Sequence, residues 1–399
     1  MTSASYSSAA AEPFEGLRIR GVAKTFGTDT TVLNEIDLDV HPGELISLVG
    51  SSGTGKSTLL RIIAGLEEPS AGRVTYAGQP LERGSVGVVF QRPILYPHLS
   101  VKDNILFPIR LGAFSGGVDM DYYRELLEAL KLEGLESRKP SQLSGGQAQR
   151  VGIARALIRR APVVLFDEPL ASVDEEMSAS IRADIVRLHE RYGFTGLYVT
   201  HDQNEALMLG QRVAVMDAGY LVQVDTPERL LAHPHTLQVA KLMAAPALNL
   251  LALEDSEALP AGCELAIRAT ALCPVAADAA HGLPVQVLGC RHLVGGMLYR
   301  ARLLEAVSLP LKSPRAQTET ELSAHLKSPR AQTETELSAQ MYARVRAGQE
   351  LEFFIPDAQG ATLSGTSPNS TFLGVGERVH LGVAAERCFL FSGGKRFYL

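Results

Sequence analysis

The chain has 399 residues and a formal net charge of −6 at pH 7, and 46% of its residues are hydrophobic. This length predicts two or three domains with ample apolar material for their cores. The negative charge argues against a large nucleic-acid-binding surface. The sequence contains no run of 18 apolar residues, so it predicts no membrane-spanning helix. The chain has four cysteines, Cys263, Cys273, Cys290 and Cys388. None forms a CxxC pair, which fits a reducing cytoplasm better than a disulfide framework or a zinc site.

The first part of the chain alternates short apolar runs with longer helix-like stretches. Residues 1–15 are rich in Ser and Ala and lack the basic and apolar regions of a signal peptide, which predicts a disordered lead-in. From 16 to 235 the alternation predicts an α/β domain, a largely parallel sheet wrapped by helices. The predicted buried strands are Leu45–Val49, Val163–Phe166 and Leu197–Thr200. The predicted helices include Tyr123–Leu132 and Met177–Tyr192.

After about residue 246 the sequence pattern changes to short strand-like runs separated by turns rich in Gly, Pro and Ser. This pattern predicts a small all-β domain at 236–399. Its candidate strands are Val285–Leu288, Met297–Leu303, Leu351–Ile355, Val379–Val383 and Phe389–Phe391. His233 and His235 lie in the connection, where no flanking acid or cysteine supports a metal site, so we interpret them as surface residues.

A 15-residue unit at 311–325 is repeated at once at 326–340, and the copies differ only at His325 and Gln340. Two polar copies are too few for a solenoid. We therefore predict a tandem duplication within a loop, either mobile or forming two frayed helices, that projects from the β-rich domain.

The run from residue 50 to 57 fits the pattern GxxxxGK[ST] between a predicted strand and an apolar helix-like stretch. Its glycines let backbone N–H groups surround phosphate oxygens at the start of a helix. Lys56 is expected to reach the β- and γ-phosphates, and the Ser57 hydroxyl to coordinate Mg²⁺. The residues predicted to bind the nucleotide here are Gly50, Ser51, Ser52, Gly53, Thr54, Gly55, Lys56, Ser57 and Thr58.

Two acids follow the apolar run Val163–Phe166. At the tip of a strand, Asp167 can hold Mg²⁺, and Glu168 can polarise a water for attack on the γ-phosphate. Acidic strand ends are common, but this one follows a phosphate loop by about a hundred residues, which strengthens the interpretation.

The pentapeptide Leu143-Ser144-Gly145-Gly146-Gln147 opens a predicted helix. Here the sequence resembles the ATP-binding cassette (ABC) ATPases, whose signature this pentapeptide is. Ser144 and the amides of Gly145 and Gly146 would form a second anion-binding helix start. The resemblance implies that this start, with Gln147, caps a γ-phosphate held by the other subunit of a dimer.

Four further residues stand where this family has functional ones, within a resemblance that covers about 16–235. Phe26 resembles the aromatic that stacks on adenine, and a core Phe is the alternative. Gln91 resembles the glutamine that touches Mg²⁺ and senses the transmembrane partner. His201 resembles the switch histidine near the γ-phosphate. Asp174 ends Ala171-Ser172-Val173-Asp174, which departs from the usual Ser-Ala-Leu-Asp and leaves the cross-subunit contact open.

The C-terminal region resembles, less tightly, the OB-like (TOBE-type) regulatory domain of ATPases that serve binding-protein-dependent importers. The junction 245–250, Ile267-Arg268 and the ending after Phe389 fit this pattern. The sequence Val173-Asp174-Glu175-Glu176 departs from the pattern usual in sugar importers.

The resemblance implies an ATP- and Mg²⁺-dependent ATPase at the cytoplasmic face of the cell membrane. It would form a homodimer, join two transmembrane permease subunits, act indirectly with a solute-binding protein and bind no nucleic acid. Carbohydrate or glycerol phosphate is the favoured solute, with polyamine, iron(III) and sulfate as alternatives. Exporters and non-transport ABC ATPases fit less well, since the chain has a β-rich tail, a single cassette and no heptad insertion.

Overall fold

The computed structural model describes residues 14–27, 29–81, 84–110, 118–244, 247–253, 263–275, 282–293, 296–311, 341–345, 347–356, 373, 375–383 and 388–397. Residues 1–13 of the predicted lead-in and 312–340 of the predicted duplicated loop lie outside these residues. The chain divides into two compact units, 1–227 and 228–399, whereas the domain boundary predicted from the sequence lies after residue 235. None of the helices described is long and apolar enough to span a membrane.

A six-stranded sheet forms the centre of the first unit, with strand order β10-β9-β3-β8-β7-β6. All neighbours from β9 to β6 pair in parallel, and β10 joins β9 as an antiparallel hairpin. Every residue of β3 and β8 is buried, as their apolar runs predict. The strands are β3 (Leu45–Val49), β6 (Gly87–Val89), β7 (Val163–Asp167), β8 (Thr195–Thr200), β9 (Arg212–Asp217) and β10 (Tyr220–Asp225).

A second, antiparallel sheet of this unit has the order β2-β1-β4-β5 and was not predicted from the sequence. The pairing of β1 with β2 shifts register between Ile19 and Val22, so the alternation of apolar residues that marks a half-buried strand is interrupted there. The strands are β1 (Leu17–Phe26), β2 (Thr30–Val40), β4 (Ala71–Tyr76) and β5 (Gln79–Pro80).

Six helices accompany these sheets in the described part of the first unit. They are α1 (Lys56–Ile63), α2 (Val101–Arg110), α3 (Met120–Ala129), α4 (Gly145–Leu157), α5 (Glu175–Tyr192) and α6 (Gln203–Leu209). Helix α3 begins and ends three residues earlier than predicted. Asp119 caps it by accepting bonds from the backbone N–H groups of Asp121 and Tyr122, and Lys131 beyond it has a left-handed φ of 54°, which ends the helical run.

A buried ionic cluster joins α4 to α5. The carboxylate of Asp184 on α5 is fully buried, and Arg150 Nη2 of α4 lies 3.1 Å from it. Lys131 Nζ lies 3.6 Å away, and Arg187 also pairs with the carboxylate. Removing one partner of a buried charge group is strongly destabilising. The cluster therefore fixes the helix that begins after Ser144 against the helix that begins after Asp174.

The second unit consists mainly of antiparallel sheets, as the sequence predicts. One sheet has the order β11-β12-β20-β21, another β13-β19-β14-β15-β18, and β16 pairs with β17. The strands are β11 (Leu248–Ala252), β12 (Glu264–Arg268), β13 (Leu272–Val275), β14 (Leu283–Leu293), β15 (Gly296–Leu303), β16 (Val307–Leu311), β17 (Met341–Val345), β18 (Glu350–Pro356), β19 (Arg378–Val383), β20 (Cys388–Ser392) and β21 (Lys395–Phe397). The five predicted strands all lie within these. Two short helices, α7 (Pro227–Ala232) and α8 (Leu237–Leu242), precede the strands.

The buried side chain of Asn249 on β11 joins two sheets of this unit. Its Nδ2 donates to the carbonyl of Ile267, at 3.1 Å, and to that of Glu352, at 2.8 Å. The backbone N–H of Glu352 in turn donates to Asn249 Oδ1, at 2.6 Å. Nearby in the core, the rings of Tyr299 and Phe353 stack with centroids 5.1 Å apart. The amide thus satisfies backbone groups on strands that do not pair directly.

Candidate functional site

The phosphate loop connects β3 to α1, and no side-chain hydrogen bond caps the N-terminus of that helix at Gly55. Gly53 and Gly55 have φ angles of 83° and 100°, which glycine adopts without steric cost. Gly50 is required for a different reason, because a Cβ there would lie 2.4 Å from the backbone oxygen of Met216. No acidic residue occupies the first turn of α1, so its positive end is available to an anion.

Lys56 lies inside this loop with its side chain buried. Its Nζ donates to the carbonyl oxygens of Gly50, at 2.8 Å, and Ser51, at 2.9 Å. Burial lowers the pKa of Lys56, and the neighbouring charges of Glu168 and Asp167 partly oppose that shift. The ammonium group is thus held at the inner wall of the loop, where a phosphate anion would stabilise its charge.

Ser57 and Asp167 form an oxygen-rich pair next to Lys56. Ser57 Oγ donates to Asp167 Oδ1, at 3.1 Å. Burial raises the pKa of Asp167, while the hydrogen bond from Ser57 lowers it. A hydroxyl and a carboxylate are the hard oxygen donors that Mg²⁺ prefers in protein sites that also retain water. Two of the three residues predicted as metal ligands, Ser57 and Asp167, are therefore adjacent and of the right chemistry.

Glu168 and His201 meet beyond β7 and β8. His201 Nδ1 lies 3.0 Å from Glu168 Oε2, and the imidazole is 54% exposed. The backbone of Glu168 has a φ of 45°, in the left-handed region, and its N–H donates to the carbonyl of Val199, at 2.9 Å. Non-glycine residues in this region cost folding free energy and cluster at functional sites. The structure thus places Glu168 in a strained position beside the predicted histidine.

Gln91 lies exposed in the loop after β6, and α4 holds the backbone of this loop. Gln149 Nε2 donates to the carbonyl of Phe90, at 3.2 Å, and Arg155 Nη1 to that of Ile94, at 2.6 Å. The sequence interpretation did not include Gln149 or Arg155, because polar residues on a helix resemble a solvated face. Both could have been suspected only from their position in the helix that Ser144 opens.

Ser144 begins α4 with a reciprocal capping box. Ser144 Oγ accepts a bond from the N–H of Gln147, at 3.2 Å, and Gln147 Oε1 accepts one from the N–H of Ser144, at 3.0 Å. Ser144 and Gly145 are exposed, and a Cβ at Gly146 would lie 2.6 Å from the side chain of Met177. The helix start is thus ordered by its own residues and accessible from outside.

Asp174 and Phe26 lie at other parts of the first unit. The carboxylate of Asp174 caps α5 by accepting a bond from the N–H of Met177, at 2.9 Å.

Phe26 is 43% exposed at the end of β1, and Lys24 Nζ lies 4.8 Å from the centre of its ring. Phe26 is therefore a surface aromatic and not a core residue, and its ring can stack on a planar group.

The five residues Lys56, Ser57, Asp167, Glu168 and His201 form one cluster around the phosphate loop. A phosphate group bound at the amides of α1 would lie near the ammonium group of Lys56 and the cation-binding oxygens of Ser57 and Asp167. It would also lie near the carboxylate of Glu168, which can accept a proton. Within the described residues, no group of three or more His, Cys, Asp or Glu side chains could hold a metal ion by itself. A cation here would need phosphate or water oxygens as further ligands.

Replacing Gly50 with Ala is expected to destabilise the first unit, because the added methyl group overlaps a backbone oxygen that a side-chain movement cannot clear. Overpacking of this kind costs about 1–3 kcal/mol, and the melting temperature of a unit of this size falls by roughly 2–4 °C per kcal/mol. Thermal unfolding checks this. Gly145→Ala is the matched control, since a Cβ there meets no atom within 4 Å. Equal melting temperatures for the two variants would contradict the packing interpretation.

Comparison with known proteins supports the resemblance drawn from the motifs. The family model described as ABC transporter matches residues 33–171. The sn-glycerol-3-phosphate import ATP-binding protein UgpC 1 of Rhizobium johnstonii is 46% identical over 241 residues, 59% of this chain and 65% of that protein. UgpC of Salmonella typhi is 42% identical over 266 residues, 64% of this chain and 74% of that protein. The chain thus spans about two thirds to three quarters of the length of these relatives.

A solved structure is also similar in fold. This structure is cbiO1 from Clostridium perfringens, part of the ABC transporter complex cbiONQ. It covers 56% of this chain and 92% of its own length, at 27% sequence identity and a TM-score of 0.50.

Proposed function

The chain belongs to the ATP-binding family of ABC transporters, and we propose that it is the ATPase subunit of an importer for sn-glycerol 3-phosphate. Membership of the family implies ATP binding. The observation that carries the proposed hydrolysis is the cluster in which Lys56 lines the phosphate loop and Glu168 lies 3.0 Å from His201. The proposed solute rests on the names of the relatives, which are 42–46% identical.

In the proposed mechanism, each residue of the cluster acts on one part of the nucleotide. The amides of the phosphate loop and Lys56 neutralise the β- and γ-phosphates. Glu168 orients a water in line with the γ-phosphorus and takes its proton as the bond to the bridging oxygen breaks and ADP leaves, and His201 holds the γ-phosphate in place. Phe26 offers its exposed ring to the adenine.

The residues that would hold Mg²⁺ are Ser57 and Asp167, with Gln91 as a further oxygen donor. Mg²⁺ would supply neutralisation of the charge that develops on the phosphate oxygens. The fit of the site rests on the adjacent hydroxyl and carboxylate at 3.1 Å.

We further propose that two copies of the chain form a dimer in which the helix start of one completes the site of the other. In each copy Ser144 and Gly145 are exposed, and the free N–H groups at the start of α4 can bind a phosphate anion. Asp174, at the start of α5, lies on the segment that would face the partner copy. The dimer would join two membrane subunits at the cytoplasmic face of the membrane and receive solute from a binding protein.

Uptake of radiolabelled sn-glycerol 3-phosphate tests the proposed solute. In a strain that retains the membrane subunits and the binding protein of such an importer but lacks its ATPase, the chain should restore uptake if it serves this solute, since it is 42–46% identical to such ATPases. Glu168→Gln should leave uptake at the level of the empty vector. If purified wild-type chain hydrolyses ATP but restores no glycerol-phosphate uptake and restores that of another solute in an equivalent strain, the solute is wrong while the ATPase proposal stands.

A further inference from the structure

An acidic side chain that the proposed mechanism does not use is hydrogen-bonded to the residue before His201. Glu205 belongs to α6, and its carboxylate is only 10% exposed. Its Oε2 accepts hydrogen bonds from Thr200 Oγ1, at 2.8 Å, and from the hydroxyl of Tyr198, at 3.1 Å. Both donors are on β8, and Thr200 immediately precedes His201. The carboxylate therefore fixes the end of the strand from which the histidine projects.

The segment on the other side of His201 is fixed by the same group of residues. The N–H of Asp202 donates to Thr200 Oγ1, at 3.0 Å. The carboxylate of Asp202 caps α6 by accepting bonds from the N–H groups of Asn204, at 2.7 Å, and Glu205, at 3.2 Å. The hydroxyl of Thr200 thus donates to Glu205 and accepts from Asp202. His201, itself exposed, is held between two residues whose bonds lead to Glu205.

Arg182 extends this network towards the start of α5. Arg182 Nη1 lies 3.7 Å from Glu205 Oε1, and Arg182 Nη2 lies 2.9 Å from Glu175 Oε1. Glu175 is the first residue of α5 and follows the capping residue Asp174. Burial and the charge of Asp202 raise the pKa of Glu205, and the two hydroxyl bonds and the charge of Arg182 act against that shift. The two hydroxyls and Arg182 thus supply the charged form of this buried carboxylate with partners.

We propose that Glu205 is a positioning residue for His201 and that Arg182 couples this position to the segment around Asp174. This inference deepens the proposed function and rests on it. Displacement of Asp174 moves Glu175 and Arg182, and through Glu205 it moves the strand end that carries His201. The position of the histidine then depends on the state of a segment that would face the second copy of the chain.

A double-mutant cycle on the purified full-length chain tests this role. Glu205→Gln keeps the size of the side chain and removes its charge, so the turnover number of ATP hydrolysis should fall about tenfold, within the range seen for residues of one bonded network, while KM for ATP changes less than about twofold. In a His201→Ala background the same substitution should lower turnover less than about twofold, because nothing remains to be positioned. Thr200→Val, which removes the connecting hydroxyl from a buried strand position, should behave in the same way.

Arg124→Gln is the control, since it removes an arginine from an exposed ion pair with Asp121 on α3 and should leave turnover unchanged. Equal losses for Glu205→Gln in the presence and absence of His201, or a loss confined to melting temperature and KM, would overturn the positioning role. Unchanged turnover in both Glu205→Gln and Thr200→Val would do the same. A wild-type chain that hydrolyses no ATP would instead refute the proposed function itself. If Glu205→Gln does not fold, the Thr200→Val cycle decides alone.

Discussion

Replacing Glu168 with Gln is expected to lower the rate of ATP hydrolysis by about 10²- to 10⁴-fold, the usual contribution of a general base. The amide has the size of the carboxylate and can still accept a hydrogen bond from His201, but it cannot take a proton from water. Nucleotide binding should remain, because Lys56 and the loop amides are untouched, so an ATP-bound dimer should accumulate. Steady-state hydrolysis and gel filtration with ATP measure the two effects.

The control for this substitution is Glu190→Gln, which makes the same change at an exposed position near the end of α5. It should hydrolyse ATP at the wild-type rate. Turnover of Glu168→Gln within about twofold of wild type would show that another group accepts the proton. A loss of ATP binding in this variant would show that Glu168 shapes the phosphate loop instead.

Replacing Lys56 with Ala should act one step earlier, on nucleotide binding. The ammonium group is buried against the carbonyls of Gly50 and Ser51, and a charge-assisted hydrogen bond contributes about 1.5–3 kcal/mol. The affinity for ATP should therefore fall by roughly 10- to 150-fold. Calorimetric titration of the Glu168→Gln background, in which ATP is not consumed, measures this directly.

Lys102→Ala supplies the comparison, because Lys102 is an exposed lysine of α2 and its loss changes the net charge by the same amount. Its ATP affinity should equal that of the parent. Circular dichroism separates a binding defect from unfolding in Lys56→Ala. An unchanged affinity in a folded Lys56→Ala chain would contradict the phosphate-loop assignment.

Three of the six strands of the central sheet, β3, β7 and β8, could be predicted from the sequence because they are short and mostly apolar. Strands β6, β9 and β10 were not predicted. The predicted strand Leu45–Val49 coincides with β3. Strand β11 is harder to recognise, since Asn249 interrupts its apolar residues. Its side chain is buried only because Glu352, 103 residues further along the chain, supplies backbone partners. No local pattern contains that information.

Most of the cluster around the phosphate loop could be predicted from the sequence, because Lys56 and Ser57 belong to the GxxxxGK[ST] pattern and Asp167 and Glu168 follow an apolar run. His201 was predicted only from the resemblance to the family. Glu205 does not stand out in this way. It lies three residues after Asp202, so the pattern indicates an ordinary helix cap. Its contact with Thr200 and Arg182 depends on how α6, β8 and α5 pack, which the sequence does not display.

The left-handed backbone of Glu168 has a consequence for engineering. A non-glycine residue in this conformation lowers folding stability by about 1–2 kcal/mol. Glycine removes that strain, although it also raises the conformational entropy of the unfolded state. Selection of random variants by heat resistance would therefore enrich glycine at position 168 and yield robust, nucleotide-binding chains without turnover. Selection for thermostability therefore has to include an assay of ATP hydrolysis, so that stability cannot be gained by discarding the carboxylate.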